Sequence, residues 1–139
     1  MTNMLKISEA ASLALHAMVL LAARSGQWLT TPEIVATLKV SQAHLSKVMQ
    51  RLGRAGLVKA VRGPKGGFQL GKPAGEITLL EVYEAIDGPV QISGCLYSTA
   101  ICNSKQCIFG DLIRSVDQQV RDYLAQTTLP QLTNIARNT

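Results

Sequence analysis

The sequence predicts a mainly α-helical fold with one small β-hairpin and a long C-terminal helix. Three observations carry this. A basic amphipathic helix at residues 41–55 follows a short helix across a tight turn; two alternating runs, LVKAVR and FQL, are joined by GPKGG; and an apolar stripe from Phe109 to Leu124 recurs at helical spacing. A helix-turn-helix followed at once by a small hairpin is a winged helix. The predicted fold class is therefore a winged helix-turn-helix domain plus a long C-terminal dimerisation helix.

Each element follows from its local chemistry. Residues 8–24 form a helix that is apolar on nearly every side, which requires burial within the domain or under a partner. Gly26 ends it. T-T-P-E at 30–33 offers a threonine cap, an early proline and a first-turn glutamate, so a short helix starts there and stops near Lys39. Ser41 caps the next helix, in which Leu45, Val48, Met49 and Leu52 recur at i, i+3, i+4 and i+7 while Lys47, Gln50 and Arg54 point the other way. One face is dry and the other is polar and basic.

T-L-L-E at 78–81 reads as a capping box that starts a further helix, LLEVYEAID, ended by Gly88 and Pro89. Phe109, Leu112, Ile113, Val116, Val120, Tyr123 and Leu124 then line one face of a long helix. So small a domain leaves that stripe little to cover, and a second copy of the helix is its expected partner. The chain divides accordingly into a DNA-binding domain at 1–88, a cysteine loop at 89–107, and a dimerisation helix with the C-terminal segment at 108–139.

The totals bound the function. A chain of 139 residues has the length of one ordinary domain, and 47% hydrophobic content excludes general disorder. The longest apolar run, residues 10–22, is interrupted by Ser12 and His16 and is too short to span a bilayer. No membrane span and no secretory signal is expected, which places the protein in the cytoplasm. The net charge of +5 is segregated: residues 1–75 hold ten Lys and Arg against Glu9 and Glu33, whereas residues 76–139 hold four basic side chains against seven carboxylates. The front of the molecule suits a polyanion and the rear does not.

The stretch GPKGGFQLGKP, residues 63–73, contains G-x-x-x-x-G-K from Gly66 and so half-matches a phosphate-binding loop. Such a loop needs Ser or Thr after its lysine and an immediate helix whose amides face the anion. Pro73 supplies neither a hydroxyl nor an amide hydrogen, and FQL reads as a strand. The hairpin accounts for the same residues, with Arg62 at its base and Lys65 at its tip, where a wing meets a minor groove or a phosphate.

The helix at 41–55 is then the one that enters a major groove. Gln42, Ala43, His44, Ser46 and Lys47, near its start, are the candidates for base or near-base contact, and the cap residue Ser41 belongs to the same DNA-binding set. Gln50, Arg51, Arg54 and Lys59 are expected at phosphates, which fix register and make affinity depend steeply on salt. An ordinary solvated side chain is the competing account of each.

Cys95, Cys102 and Cys107 fall inside thirteen residues, and the chain has no other cysteine. An odd number cannot all pair within one chain, and clustered thiols without an export signal bind metal or sense redox state more often than they staple a fold. Soft thiolates suit an iron-sulfur cluster, zinc or copper. Spectator thiols and a disulfide-forming pair are the alternatives.

Taken with the helix SQAHLSKVMQRLGRAGLV and the segment VRGPKGGFQLGKPAGEITLLEV, the three cysteines before a long helix make the sequence resemble the IscR and NsrR family of winged-helix transcription regulators. The likeness covers nearly the whole chain. It implies a homodimer that binds a palindromic double-stranded DNA operator, usually as a repressor, with an iron-sulfur cluster, [2Fe-2S] or [4Fe-4S], in the cysteine loop controlling affinity. Family members commonly show five and five residues between the cysteines; here there are six and four, with the outer separation unchanged.

The resemblance leaves the fourth ligand open. Cluster-biogenesis regulators carry a histidine three residues after the third cysteine, where this chain has Gly110, and nitric-oxide-sensing members would place an acidic ligand at Ser12. His16, one turn further on, is the chemically reasonable substitute, followed by Glu9 and Asp111; a packed, hydrogen-bonded histidine is the plainer account. An iron with a labile fourth ligand is open to nitric oxide, oxygen or a thiol. Zinc or thiol oxidation acting on the same DNA-binding half is the runner-up. An enzyme is not expected: His16 and His44 are the chain's two histidines, and no nucleophile is paired with a base.

Overall fold

The computed structural model describes residues 7–64, 66–92, 108–109 and 111–133. Five α-helices run in the order α1 (Glu9–Ala23), α2 (Thr31–Leu38), α3 (Gln42–Arg54), α4 (Leu79–Asp87) and α5 (Leu112–Gln126), with an antiparallel hairpin of β1 (Val58–Val61) and β2 (Gly67–Leu70) between α3 and α4. One-turn 3-10 helices at Ala74–Glu76 and Leu129–Leu132 complete the described chain.

The helix starts follow the expected capping chemistry. Thr30 accepts from the Glu33 amide at 3.3 Å while the Glu33 carboxylate accepts from the Thr30 amide at 3.3 Å, a reciprocal box with Pro32 in the first turn. Ser41 Oγ accepts from the His44 amide at 3.1 Å. Between them Lys39 adopts the left-handed conformation, φ 57°, that closes α2 and turns the chain into α3. At α4 only half of the box forms. Thr78 Oγ1 accepts from the Glu81 amide, but the Glu81 carboxylate is held by Lys72 Nζ at 2.7 Å, tying the end of the hairpin to α4.

The core explains why α1 is apolar nearly all round. Ala11, Leu13, Ala14, Ala17, Met18, Leu20, Leu21 and Ala22 are buried, and α1 lies against α2, α3, α4, β2 and the C-terminal 3-10 turn. From α3 the buried residues are Leu45, Val48, Met49 and Leu52, the four of the predicted dry face. Val82 and Ile86 come from α4, and Leu124 and Leu129 bring the C-terminal segment into the same core.

Two backbone pairings fall outside the named strands. Leu29 exchanges hydrogen bonds with Phe68 at 3.0 and 2.8 Å, so the segment before α2 adds a third edge to the hairpin. At Gly67 (φ +146°) a Cβ would overlap the Leu29 carbonyl, which restricts the position to glycine. The second pairing is a bridge between Thr78 and Thr128, flanked by Leu79 N to Thr127 O at 3.0 Å and Leu129 N to Ile77 O at 3.2 Å. The end of α5 is thereby sewn to the start of α4.

Candidate nucleic-acid interface

On α3, a 3.6-residue repeat places Ala43, Lys47, Gln50 and Arg54 directly opposite the buried side. All four are exposed, as are Ser41 and Gln42, while His44 and Ser46 are half-buried on the flanks. The helix contains no carboxylate along its length. Its outward face is thus a rigid cationic ridge whose orientation is set by four fully packed apolar side chains on the reverse.

The hairpin stands beside this ridge. Gly66 N donates to the Gly63 carbonyl at 2.9 Å and closes the turn, and Arg62 and Lys59 are exposed along β1 and its exit. Lys59 Nζ lies 5.8 Å from the centroid of the Trp28 ring, a cation–π contact that restrains the ammonium from the third edge of the sheet. Composition and periodicity gave no hint of this pairing, because Trp28 precedes the Leu29–Phe68 bridge rather than a predicted strand. Lys65 lies outside the described residues. Residues 67–70 form a strand and Lys72 is ion-paired to Glu81, so the glycine-lysine motif is not arranged as a phosphate loop.

Arg51 is placed differently from its neighbours. It sits on the flank of α3 and its Nη1 donates to the Ile86 carbonyl at 3.2 Å, in the last turn of α4. The same end of α4 carries Asp87, whose carboxylate oxygens lie 2.8 and 2.9 Å from Ser8 Oγ, the N-cap of α1. Glu84 accepts from the Val90 amide at 3.1 Å. Nearby, burial and the Asp87 charge raise the Tyr83 phenol above its ordinary value.

Cys95, Cys102, Cys107 and Gly110 lie outside the described residues. His16 is exposed rather than packed, and its Nδ1 is 2.7 Å from the Ser12 carbonyl. A carbonyl oxygen only accepts, so Nδ1 is the donor in this contact. Glu9 is exposed in the first turn of α1; Asp111 is exposed at the N-cap of α5, 4.0 Å from Arg114. Among the described residues no helix is long and apolar enough to cross a membrane.

The family model of Rrf2, described as iron-dependent transcriptional regulators, matches residues 7–135. This chain belongs to the Rrf2 family. It is 30% identical over 131 residues to an HTH-type transcriptional regulator of Aquifex aeolicus, covering 92% of this chain and 91% of that one. The regulator IscR of Klebsiella pneumoniae is 35% identical over 95 residues, which span 68% of this chain and 58% of IscR. Among solved structures, CymR, described as the global cysteine regulator of B. subtilis, superposes with a TM-score of 0.80 at 28% identity over 95% of this chain and 98% of CymR. The chain is a transcription regulator of Rrf2 type with a winged-helix fold.

Proposed function

We propose that this Rrf2 regulator binds palindromic DNA operators as a homodimer, acting as a repressor, with affinity controlled by an iron-sulfur cluster that reports nitric oxide, redox state or iron-sulfur status. The observation that carries the DNA reading is the carboxylate-free outward face of α3, with Lys47, Gln50 and Arg54 aligned beside the basic hairpin. Gln42, Ala43, His44, Ser46 and Lys47 serve base edges, with Ser41 capping the helix that presents them. Gln50, Arg54, Lys59, Arg62 and Lys65 serve phosphates. The functional units are residues 1–88 for DNA, 89–107 for the cofactor and 108–139 for dimerisation.

The donor chemistry fits a cluster. Three thiols close in sequence supply soft ligands, and His16 offers an imidazole on an exposed face of α1 whose Nδ1 is already engaged by the Ser12 carbonyl. Cys95, Cys102 and Cys107 would hold the group, with His16 as the fourth ligand. When bound, it supplies an iron centre reactive toward nitric oxide and oxygen. The protein's own part is to hold α3 at a set angle.

Homodimerisation is supported by α5. Leu112, Val116 and Tyr123 recur on one side of the helix and are 56, 42 and 58% exposed, while Val120 and Leu124 pack inward. So large an apolar stripe on a small chain supports the reading of α5 as a subunit interface.

The likeness to CymR favours a second reading, in which the cysteines answer to thiol chemistry or zinc without a cluster. Anaerobically purified protein separates the two. Iron with acid-labile sulfide, and visible absorbance lost in each of Cys95→Ala, Cys102→Ala and Cys107→Ala, is the expected result. Full absorbance in all three variants, or zinc in place of iron, overturns the cluster. Salt-steep binding to a duplex selected in vitro from a random pool tests the DNA reading separately.

A further inference from the structure

We infer that Arg51 is not a phosphate contact but a positioning residue: its guanidinium sets the seat of the recognition helix α3 by capping the C-terminus of α4. This rests on the DNA-binding reading above. The last four carbonyls of any helix lack intrahelical partners, and that end carries partial negative charge. In α4 the Gly88 amide returns to the Glu84 carbonyl at 3.0 Å, and Arg51 Nη1 takes the Ile86 carbonyl at 3.2 Å. A cation satisfies an orphan acceptor and the helix dipole together.

The position on α3 fits this role. At roughly 100° per residue Arg51 falls beside His44, on the flank of the Ala43, Lys47, Gln50 and Arg54 ridge and one turn on from Lys47. It is also near the end of α3, beyond the turns that lead into a groove. Its reach to α4 turns that end into a three-helix junction: α1 arrives through Ser8 and Asp87, α3 through Arg51 and Ile86. Asp87, a carboxylate at the unfavourable end of its own helix, lies at the favourable N-terminus of α1. The chain leaving this junction runs through Gly88 and Ile92 to Cys95.

The test uses the full-length dimer and two duplexes, one selected in vitro from a random pool and one of scrambled sequence. Arg51→Gln is expected to weaken the selected duplex about tenfold or more while leaving scrambled binding and its salt slope unchanged. A phosphate contact instead predicts equal weakening on both duplexes and a slope reduced by about one; that result overturns the assignment. Gly88→Ala provides a variant outside α3. Gly88 has φ +82° and open space around a Cβ, so the substitution strains the α4 terminus without a clash. It is expected to reproduce the selected-duplex loss and to be non-additive with Arg51→Gln. Full additivity, or a Gly88→Ala protein with unaltered selectivity, also refutes the role. Wild-type protein that binds neither duplex would bring down the DNA-binding reading itself, an outcome distinct from a slope change confined to the variant.

Discussion

Helices α3 and α5 are both amphipathic and of similar length, yet they spend their apolar faces differently. α3 buries Leu45, Val48, Met49 and Leu52 within its own domain, so what it shows outward is polar and free for a solute-facing task. α5 buries Leu124 alone and leaves Leu112, Val116 and Tyr123 largely exposed. A helix whose dry side is already satisfied presents chemistry; one whose dry side is left over requires another protein surface. On the proposed reading, the contrast assigns α3 to DNA and α5 to a second subunit.

Truncation within each stripe breaks the comparison most sharply. Leu52, at 0% exposure, should cost about 2–5 kcal/mol as Leu52→Ala, read as a lowered thermal or denaturant midpoint. Leu112→Ala should cost under ~0.5 kcal/mol in dilute protein, where no partner covers it. Equal losses would mean that α5 is covered within one chain. Next, Val116→Asp is expected to weaken self-association by about 1–3 kcal/mol through a carboxylate placed in an apolar contact, seen by sedimentation as monomer at concentrations where the wild type is dimeric. Lys47→Ala, on α3, should leave the oligomer intact. It should weaken binding to the selected duplex about tenfold and relax discrimination at the base it reads.

The smallest effect concerns Tyr83. Its phenol is held above 10.0 by burial first and by Asp87 second, so the folded protein retains the proton longer than the unfolded chain. That contribution is fully present below the unfolded value and is lost as pH rises through the folded value. A Tyr83→Phe variant should therefore show a slightly shallower loss of stability above about pH 10. An unaltered alkaline slope would show that Tyr83 does not couple to folding.

What was legible in the sequence was local. The caps at Thr30 and Ser41, the four-residue dry face of α3 and the glycine-closed hairpin all follow from neighbours within one or two turns. The long-range pairings were not. Leu29 joins Phe68 and Ser8 joins Asp87 across stretches with no shared periodicity, and the short TLPQL segment has no pattern that announces a buried Leu129. Glu81 carried the capping-box signature, yet Lys72 outcompeted the backbone amide for its carboxylate. Arg51 was expected at a phosphate from its charge, and its hydrogen bond to the Ile86 carbonyl was not legible, because nothing in the sequence pairs α3 with the end of α4. His16 was weighed against a packed, hydrogen-bonded histidine; it is exposed on α1 and hydrogen-bonded to the Ser12 carbonyl.

The bridge between Thr78 and Thr128 bears on operator geometry. Because the far end of α5 is stitched to the base of α4, the coupling helix cannot swing as a tethered arm. Two subunits clasped along it would hold their reading heads at one separation, like the jaws of a locked gauge. Inserting a few base pairs between the half-sites should therefore be punished far more heavily than exchanging a single base within one.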